Sequence, residues 1–273
     1  MTLDNQSLSR LLETAVVAAR LAGQHAIEKV DFVKVSIKNK DELVTQADIE
    51  CQKIIIDRIK EAYPDHGFVA EEGDNGKLFK QSPRGSEPIW WVIDPIDGTN
   101  NFAQGMPFFA ISIGVMYEGW PVVGVIFDPS TESMYTAVKD GETQLNGRRI
   151  TSGENDMDVF TSVSFDSHFQ NGVPKWVIEL MHKTRYRILG AASLQFAYVA
   201  KGSFTGTVIN NPKLWDIAGG SAICLGADAV ITDFEGKNIF PFDVENYSGI
   251  ALRTIVANKK VHPQLVELIK NSK

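Results

Sequence analysis

Cysteine is scarce in this sequence, which holds only Cys51 and Cys224 among 273 residues. Both stand in apolar stretches with helical spacing. They supply neither a disulfide framework nor a thiolate zinc site, and a reducing cytoplasm is the expected setting. Long apolar runs are missing as well: no window approaches the roughly 20 consecutive apolar residues of a membrane-spanning helix. The stretch from Met1 to Ser9 is polar and shows neither the basic start nor the apolar run of a secretory signal. Positive charge is short, with Lys+Arg 27 against Asp+Glu 34 and a formal net charge of −7. That balance argues against general nucleic-acid or anionic-membrane binding, although an anionic ligand remains admissible where cations stand between it and the protein. The histidines, His25, His66, His168, His182 and His262, are scattered without ligand spacing and read as surface or packing residues. No internal repeat is present. There is also no Gly-x-x-x-x-Gly-Lys-Ser/Thr loop of a nucleotide kinase and no Gly-x-Ser-x-Gly elbow of a serine hydrolase.

What is there is globular: 44% hydrophobic, 22% charged and 10% aromatic residues, enough for one large domain or two small ones. Leu8, Leu11, Leu12, Ala15, Val16, Ala19 and Ala22 draw one apolar stripe over Ser7 to Val30. Ala47, Cys51, Ile54, Ile55, Ile59 and Ala62 draw a second, opened by Thr45 with Asp48 as a capping pair and closed by Tyr63-Pro64-Asp65. The period then shortens. Phe68 to Ala70, Trp90 to Ile93, Ala110 to Met116, Val122 to Phe127 and Met134 to Val138 are short runs divided by turn residues, which predicts an antiparallel meander. From about residue 150 the pattern alternates strand and helix. Strands are expected at Phe160 to Phe165, Tyr186 to Leu189, Thr205 to Ile209, Ala229 to Thr232 and Thr254 to Ala257. Helices are expected at Lys175 to Lys183, Ser193 to Ala200, Trp215 to Leu225 and Pro263 to Ile269. This divides the chain into an α+β half, residues 1–150, and an α/β half, residues 151–273, with Ser152 to Asp156 as the boundary. Ligands commonly bind at such an interface.

The chemistry concentrates in Trp90 to Phe102, Trp-Trp-Val-Ile-Asp-Pro-Ile-Asp-Gly-Thr-Asn-Asn-Phe. A buried strand is expected to end at Asp94 and to turn through Pro95 and Ile96 into Asp97-Gly98-Thr99. Two carboxylates so spaced converge on one cation, with a backbone carbonyl between them as a further oxygen ligand; Mg²⁺ favours this donor set and bridges it to phosphate. The amides of Gly98 and Thr99 then form an anion cradle at a helix start. The bland alternative is a turn with an Asp helix cap. Two further acidic ends, Glu71-Glu72 after Phe68-Val69-Ala70 and Asp216 after Leu214-Trp215, make a carboxylate-only metal site the better joint explanation.

Together, Glu71-Glu72, Asp94-Pro95-Ile96-Asp97-Gly98-Thr99 and Trp215-Asp216 resemble the three signature motifs of the inositol monophosphatase family, Mg²⁺-dependent, lithium-sensitive phosphatases of sugars and nucleotides. The likeness extends to Asp41-Glu42-Leu43-Val44-Thr45 with Asp48, the strand pair from Gly114 to Pro129, Leu145-Asn146-Gly147-Arg148, and Arg253 to Asn258. The resemblance implies a layered αβαβα sandwich, two or three Mg²⁺ ions and a homodimer. It assigns Glu71, Asp94 and the Ile96 carbonyl to one ion and Asp94, Asp97 and Asp216 to a second. Thr99, bonded to Asp48, orients the attacking water, and no side-chain nucleophile is needed. Asp48 has a rival explanation as the capping-box acid of its helix. Asp97, Gly98, Thr99 and Asp216 face the substrate, joined by the small-residue loop Gly190-Ala191-Ala192, in which Ala191 stands where the family has Thr.

The resemblance implies hydrolysis of a small phosphorylated polyol, with inositol 1-phosphate leading. Fructose 1,6-bisphosphate, histidinol phosphate, NADP and adenosine bisphosphate are alternatives, as is a regulatory protein of the same fold that contacts the transcription machinery. Inositol-selective members carry an acidic residue near Ile209, and none stands there. Lys213 reads as a contact for a second phosphate or carboxylate, or as a solvated lysine. Lys38-Asn39-Lys40 resembles the family's mobile loop or is a basic turn, and Trp90 and Trp91 read as core and rim anchors.

Overall fold

The computed structural model describes residues 3–32, 35–39, 42–85, 88–169 and 172–272. The first stripe becomes α1 (Asn5–Lys29), capped by Asp4, whose carboxylate accepts the Ser7 amide at 2.7 Å. A hairpin of β1 (Val35–Asn39) and β2 (Glu42–Thr45) follows. The second stripe becomes α2 (Gln46–Ala62), opened by the expected capping box of Thr45 and Asp48. The Cys51 thiol donates to the Ala22 carbonyl at 3.3 Å, tying α2 to α1. The hairpin was not expected, because the apolar residues of its first strand, Val35 and Ile37, are exposed. Lys40 and Asp41 lie outside the described residues, so the Lys38-Asn39-Lys40 turn is only partly described.

Next come β3 (Gly67–Ala70), β4 (Phe79–Gln81), β5 (Ile89–Asp97), the single turn α3 (Thr99–Ala103), β6 (Ala110–Tyr117), β7 (Trp120–Asp128), β8 (Ser133–Val138), β9 (Gln144–Leu145) and β10 (Arg148–Arg149). They form one eight-stranded sheet in the order β10-β9-β8-β7-β6-β5-β3-β4. From β5 to β8 it is the expected antiparallel meander, continued by β9 and β10, which were not expected, whereas β3, expected in the same meander, joins β5 in parallel. Side chains alternate across β5. Trp91 and Ile93 enter the core shared with α1 and α2, and Trp90 and Val92 enter the opposite core. His66 is a packing residue, as expected: its Nδ1 accepts the Trp91 indole N–H at 2.9 Å and its ring stacks on Tyr63.

The remaining elements are β11 (Ser162–Phe165), α4 (Lys175–Lys183), β12 (Arg185–Arg187), α5 (Ala192–Ala200), β13 (Gly206–Ile209), α6 (Leu214–Gly226), β14 (Val230–Thr232), β15 (Thr254–Ala257) and α7 (His262–Asn271). Their five strands form a mixed sheet in the order β12-β11-β13-β15-β14, in which β15 alone runs antiparallel to the other four. Helices α5 and α6 are sandwiched between the two sheets, while α4 and α7 cover the outer face of the smaller one. The order α1–α2, large sheet, α5–α6, small sheet, α4–α7 is the expected αβαβα layering.

Glycine sets how closely α6 meets the large sheet. Gly114 and Gly124 are register partners on β6 and β7. A methyl on Gly114 would stand 2.8 Å from Ala218, and one on Gly124 would stand 2.8 Å from the Ala222 methyl and run into the Gly219 carbonyl. Only a bare backbone admits the helix here. Among the described residues no helix is long and apolar enough to cross a membrane.

Candidate metal centre and active site

The strand expected to stop at Asp94 continues to Asp97. Asp94 pairs with Ser112 and Asp97 with Ala110, so β5 advances three residues while β6 advances two. The extra residue is a bulge, which re-aims side chains without ending the strand. It replaces the expected turn through Pro95 and Ile96.

Three elements then converge. Asp94 Oδ1 accepts the Ile96 amide at 3.1 Å. Asp97 lies against the start of α5, where Oδ1 accepts the Ala192 amide at 3.1 Å and Oδ2 accepts the Ser193 amide at 2.6 Å and the Ser193 hydroxyl. Asp216, in the first turn of α6, accepts the Lys213 amide at 2.6 Å. Oxygens of Asp94, Asp97 and Asp216 all lie within 4.8 Å of one another.

Burial makes this cluster electrostatically costly. It raises the Asp94 carboxyl well above its ordinary value, helped by the charges of Glu71, Asp97 and Asp216. Burial also pushes Asp97 up to about 6, against the opposing pull of the Ser193 and Ala192 donors. Asp216 is pushed up to about 7, by burial and then by the Asp97 charge, with the Lys213 amide opposing. No Lys, Arg or His of the described residues closes an ion pair on any of the three. Clustered all-oxygen donors, buried at Asp94 and Asp97 and half-buried at Asp216, where the Lys213 charge acts without closing an ion pair, are the environment a hard divalent cation offsets.

Glu71 follows β3, whose Ala70 pairs with Ile93, so the register sets it beside Asp94. It stands outside the three-carboxylate group and is half-buried. It lines a cleft of ≈ 740 Å³ together with Gly98, Thr99, Lys213, Trp215 and Asp216. The Ile96 carbonyl accepts the Thr99 hydroxyl at 3.1 Å, and Asp48 Oδ1 offers the same hydroxyl a second acceptor at 3.1 Å. Asp48 Oδ2 is held by the Thr45 amide at 2.8 Å. The capping bond and the Thr99 contact of Asp48 therefore coexist, one per oxygen. Burial pushes its carboxyl up to about 6.

Gly98 has φ 95°, and a methyl there would stand 2.7 Å from the Phe108 carbonyl, so the turn into α3 requires glycine. Because α3 is a single turn, the anion cradle reduces to the Gly98 and Thr99 amides, with little dipole behind them. Gly190 has φ 72°, and its loop is fixed by the buried Asn101, whose amide donates to the carbonyls of Phe108 at 2.6 Å and Leu189 at 2.7 Å. Ala191 is buried, and the Ala192 amide is engaged by Asp97. Asn101 and the role of Ser193 were not read from the sequence. A Ser beside a strand-to-helix junction is a capping signal that points to Ser193; a buried Asn has no such signature. A larger cleft of ≈ 1190 Å³ opens from Asp97 and Asp216 past Gly190 to Asp166.

The profile of the inositol monophosphatase family matches residues 7–273. The inositol-1-monophosphatase of Rhizobium meliloti is 35% identical over 239 residues, 84% of this chain and 87% of that protein. The Nus factor SuhB of Vibrio cholerae is 33% identical over 237 residues, 83% of this chain and 86% of that protein. The crystal structure of the extragenic suppressor protein SuhB of Bartonella henselae superposes with a TM-score of 0.86 at 29% identity, covering 97% of this chain and 100% of that one.

Proposed function

Because the chain belongs to the inositol monophosphatase family, we propose that it is a Mg²⁺-dependent phosphomonoesterase acting on a small phosphorylated polyol, with inositol 1-phosphate the leading substrate. One observation carries the reading: three carboxylates from β5 and α6, two buried and one half-buried, meet within 4.8 Å, and no Lys, Arg or His of the described residues forms an ion pair with any of them. A phosphate dianion would be repelled by that cluster unless divalent ions neutralised it first.

Asp94, Asp97, Asp216, Glu71 and the Ile96 carbonyl would hold the ions, two or three in number. When bound, Mg²⁺ supplies charge neutralisation, polarisation of the phosphoryl oxygens and a water of lowered pKa. The other steps fall to the chain itself. The Thr99 hydroxyl has one hydrogen, directed to Asp48 or to the Ile96 carbonyl, which leaves its oxygen to accept a hydrogen from the attacking water. The Gly98 and Thr99 amides face the phosphate oxygens, and the Gly190-Ala191 loop closes the far side. The homodimer and the division near residue 150 belong to the same reading.

The test is phosphate release by the purified protein, with Mg²⁺ and with chelator, across inositol 1-phosphate, fructose 1,6-bisphosphate, histidinol phosphate, NADP and adenosine bisphosphate. Mg²⁺-dependent release led by inositol 1-phosphate is expected, and silence on every ester refutes the reading. A second reading, a regulatory partner of the transcription machinery, is favoured by the likeness to the Nus factor SuhB of Vibrio cholerae. The net charge of −7 favours a protein contact over direct RNA binding in that role.

A further inference from the structure

Asp166 is a half-buried carboxylate in the larger cleft that neither the metal centre nor the water-orienting pair uses. It follows β11 directly. Because Phe165 pairs with Val208, Asp166 stands across from Ile209, at the end of β13, where the last two residues of that strand, Val208 and Ile209, are apolar. Its Oδ2 accepts the Asn210 amide at 2.7 Å, which fixes the carboxylate at the cleft wall. No Lys, Arg or His of the described residues forms an ion pair with it. Burial pushes it up to about 6, with the Asn210 amide opposing. A carboxylate accepts about four hydrogen bonds, so the Asn210 amide leaves acceptor capacity for a ligand in the cleft.

The cleft runs from Asp97 and Asp216, where the phosphate would sit, to Asp166, so a leaving alcohol lying along it meets that carboxylate. Asp166, Asp233 and Glu235 line this wall, and Arg253 is the one lysine or arginine among the described lining residues. We propose that Asp166 is a specificity-determining residue: it accepts hydrogen bonds from hydroxyl groups of the leaving alcohol, and the acidic wall around it disfavours esters bearing a second phosphate. This rests on the phosphatase reading but assigns a residue and a selectivity that the reading lacks.

The experiment compares wild type, Asp166→Asn and Asp166→Glu on inositol 1-phosphate, fructose 1,6-bisphosphate and p-nitrophenyl phosphate, with thermal melts to verify folding. A hydrogen bond to a charged acceptor corresponds to about 10- to 100-fold in affinity. The kcat/KM ratio of inositol 1-phosphate to p-nitrophenyl phosphate should therefore fall by about that factor in Asp166→Asn, chiefly through KM. Asp166→Glu should recover part of it, and the preference against fructose 1,6-bisphosphate should narrow in Asp166→Asn. An equal loss on all three esters, or an unchanged ratio, overturns the proposal. Calorimetric binding of unphosphorylated inositol in chelator supplies a readout that needs no turnover. A wild type that binds inositol but hydrolyses nothing, with binding lost in Asp166→Asn, refutes the phosphatase reading and retains Asp166. A wild type that hydrolyses inositol 1-phosphate with a ratio indifferent to Asp166→Asn does the reverse.

Discussion

Asp94→Asn should make the metal-free protein more stable while disabling it. Asp94 keeps one oxygen on the Ile96 amide, a bond the isosteric Asn retains, and shares a hydrogen bond with Asp216, which the Asn amide group can replace by donating, so the substitution chiefly removes charge. Oxygens within 4.8 Å imply about 3 kcal/mol of repulsion per ionised pair at an effective dielectric near 20. The titrations give the same scale. Asp97 is raised to about 6 and Asp216 to about 7 from an ordinary 3.8, which at about 1.4 kcal/mol per pH unit corresponds to roughly 3 and 4 kcal/mol. The two overlap through shared repulsion and do not add. A carboxyl whose folded pKa is raised favours the fold below about pH 4, and that support is lost as pH rises through the folded value. The penalty carried by Asp97 and Asp216 is therefore close to complete at pH 8 and nearly absent at pH 4. In chelator at pH 8, Asp94→Asn should gain about 2–4 kcal/mol, or roughly 5–15 °C in Tm for a chain of this size. Mg²⁺ should reverse the order, stabilising wild type and scarcely affecting the variant, whose turnover falls by about 10³-fold or more. Scanning calorimetry at pH 4 and pH 8, with chelator and with Mg²⁺, measures all four states. A variant no more stable than wild type in chelator at pH 8, or an advantage that persists at pH 4, refutes the account of the cluster.

Mg²⁺ binding should release more protons at pH 6 than at pH 8, because Asp97 and Asp216 are raised to about 6 and about 7. Calorimetry in buffers of different ionisation heat counts those protons, and pH-independent release contradicts the raised values. Thr99→Ala removes the hydroxyl that meets Asp48 and the Ile96 carbonyl, so kcat should fall about 10²-fold with KM within about 2-fold, while Thr99→Ser keeps most activity. A loss confined to KM contradicts that role. Gly124→Ala places a methyl against Gly219 and Ala222, so stability should fall by about 1–3 kcal/mol and Mg²⁺ affinity with it as α6 shifts. Near-wild-type melting and metal binding would show that the contact tolerates repacking.

Most of the layering was legible because the signals were redundant. The α1 and α2 stripes, the Thr45–Asp48 capping box and the strand–helix alternation after residue 150 each agreed with burial, and Thr254–Ala257 and Lys175–Lys183 fell where expected. Two elements without a buried face were not legible. The β1–β2 hairpin carries the exposed Ile37, and β4 has only partly buried side chains. The end of β5 was misplaced for a different reason. Burying an ionised Asp is costly, so a strand is expected to stop at its first acid; here the acids are buried because they form the site, and the chain continues through a bulge to Asp97. The carboxylates themselves were legible as three acidic ends with no His or Cys ligands. What holds them was less so: Asn101 and Ser193 act across 88 and 96 residues of sequence, a separation at which no local pattern reports.

The grip of Asp97 on the start of α5 ties two equilibria together. The same two oxygens that would face a cation accept the amides of Ala192 and Ser193, 95 and 96 residues further along the chain. Occupancy of the centre and seating of the middle helical layer are therefore thermodynamically reciprocal: whatever firms one must firm the other by the same free energy. A substitution that loosens α5 from the large sheet, however distant from any ligand atom, should register as a weaker grip on Mg²⁺.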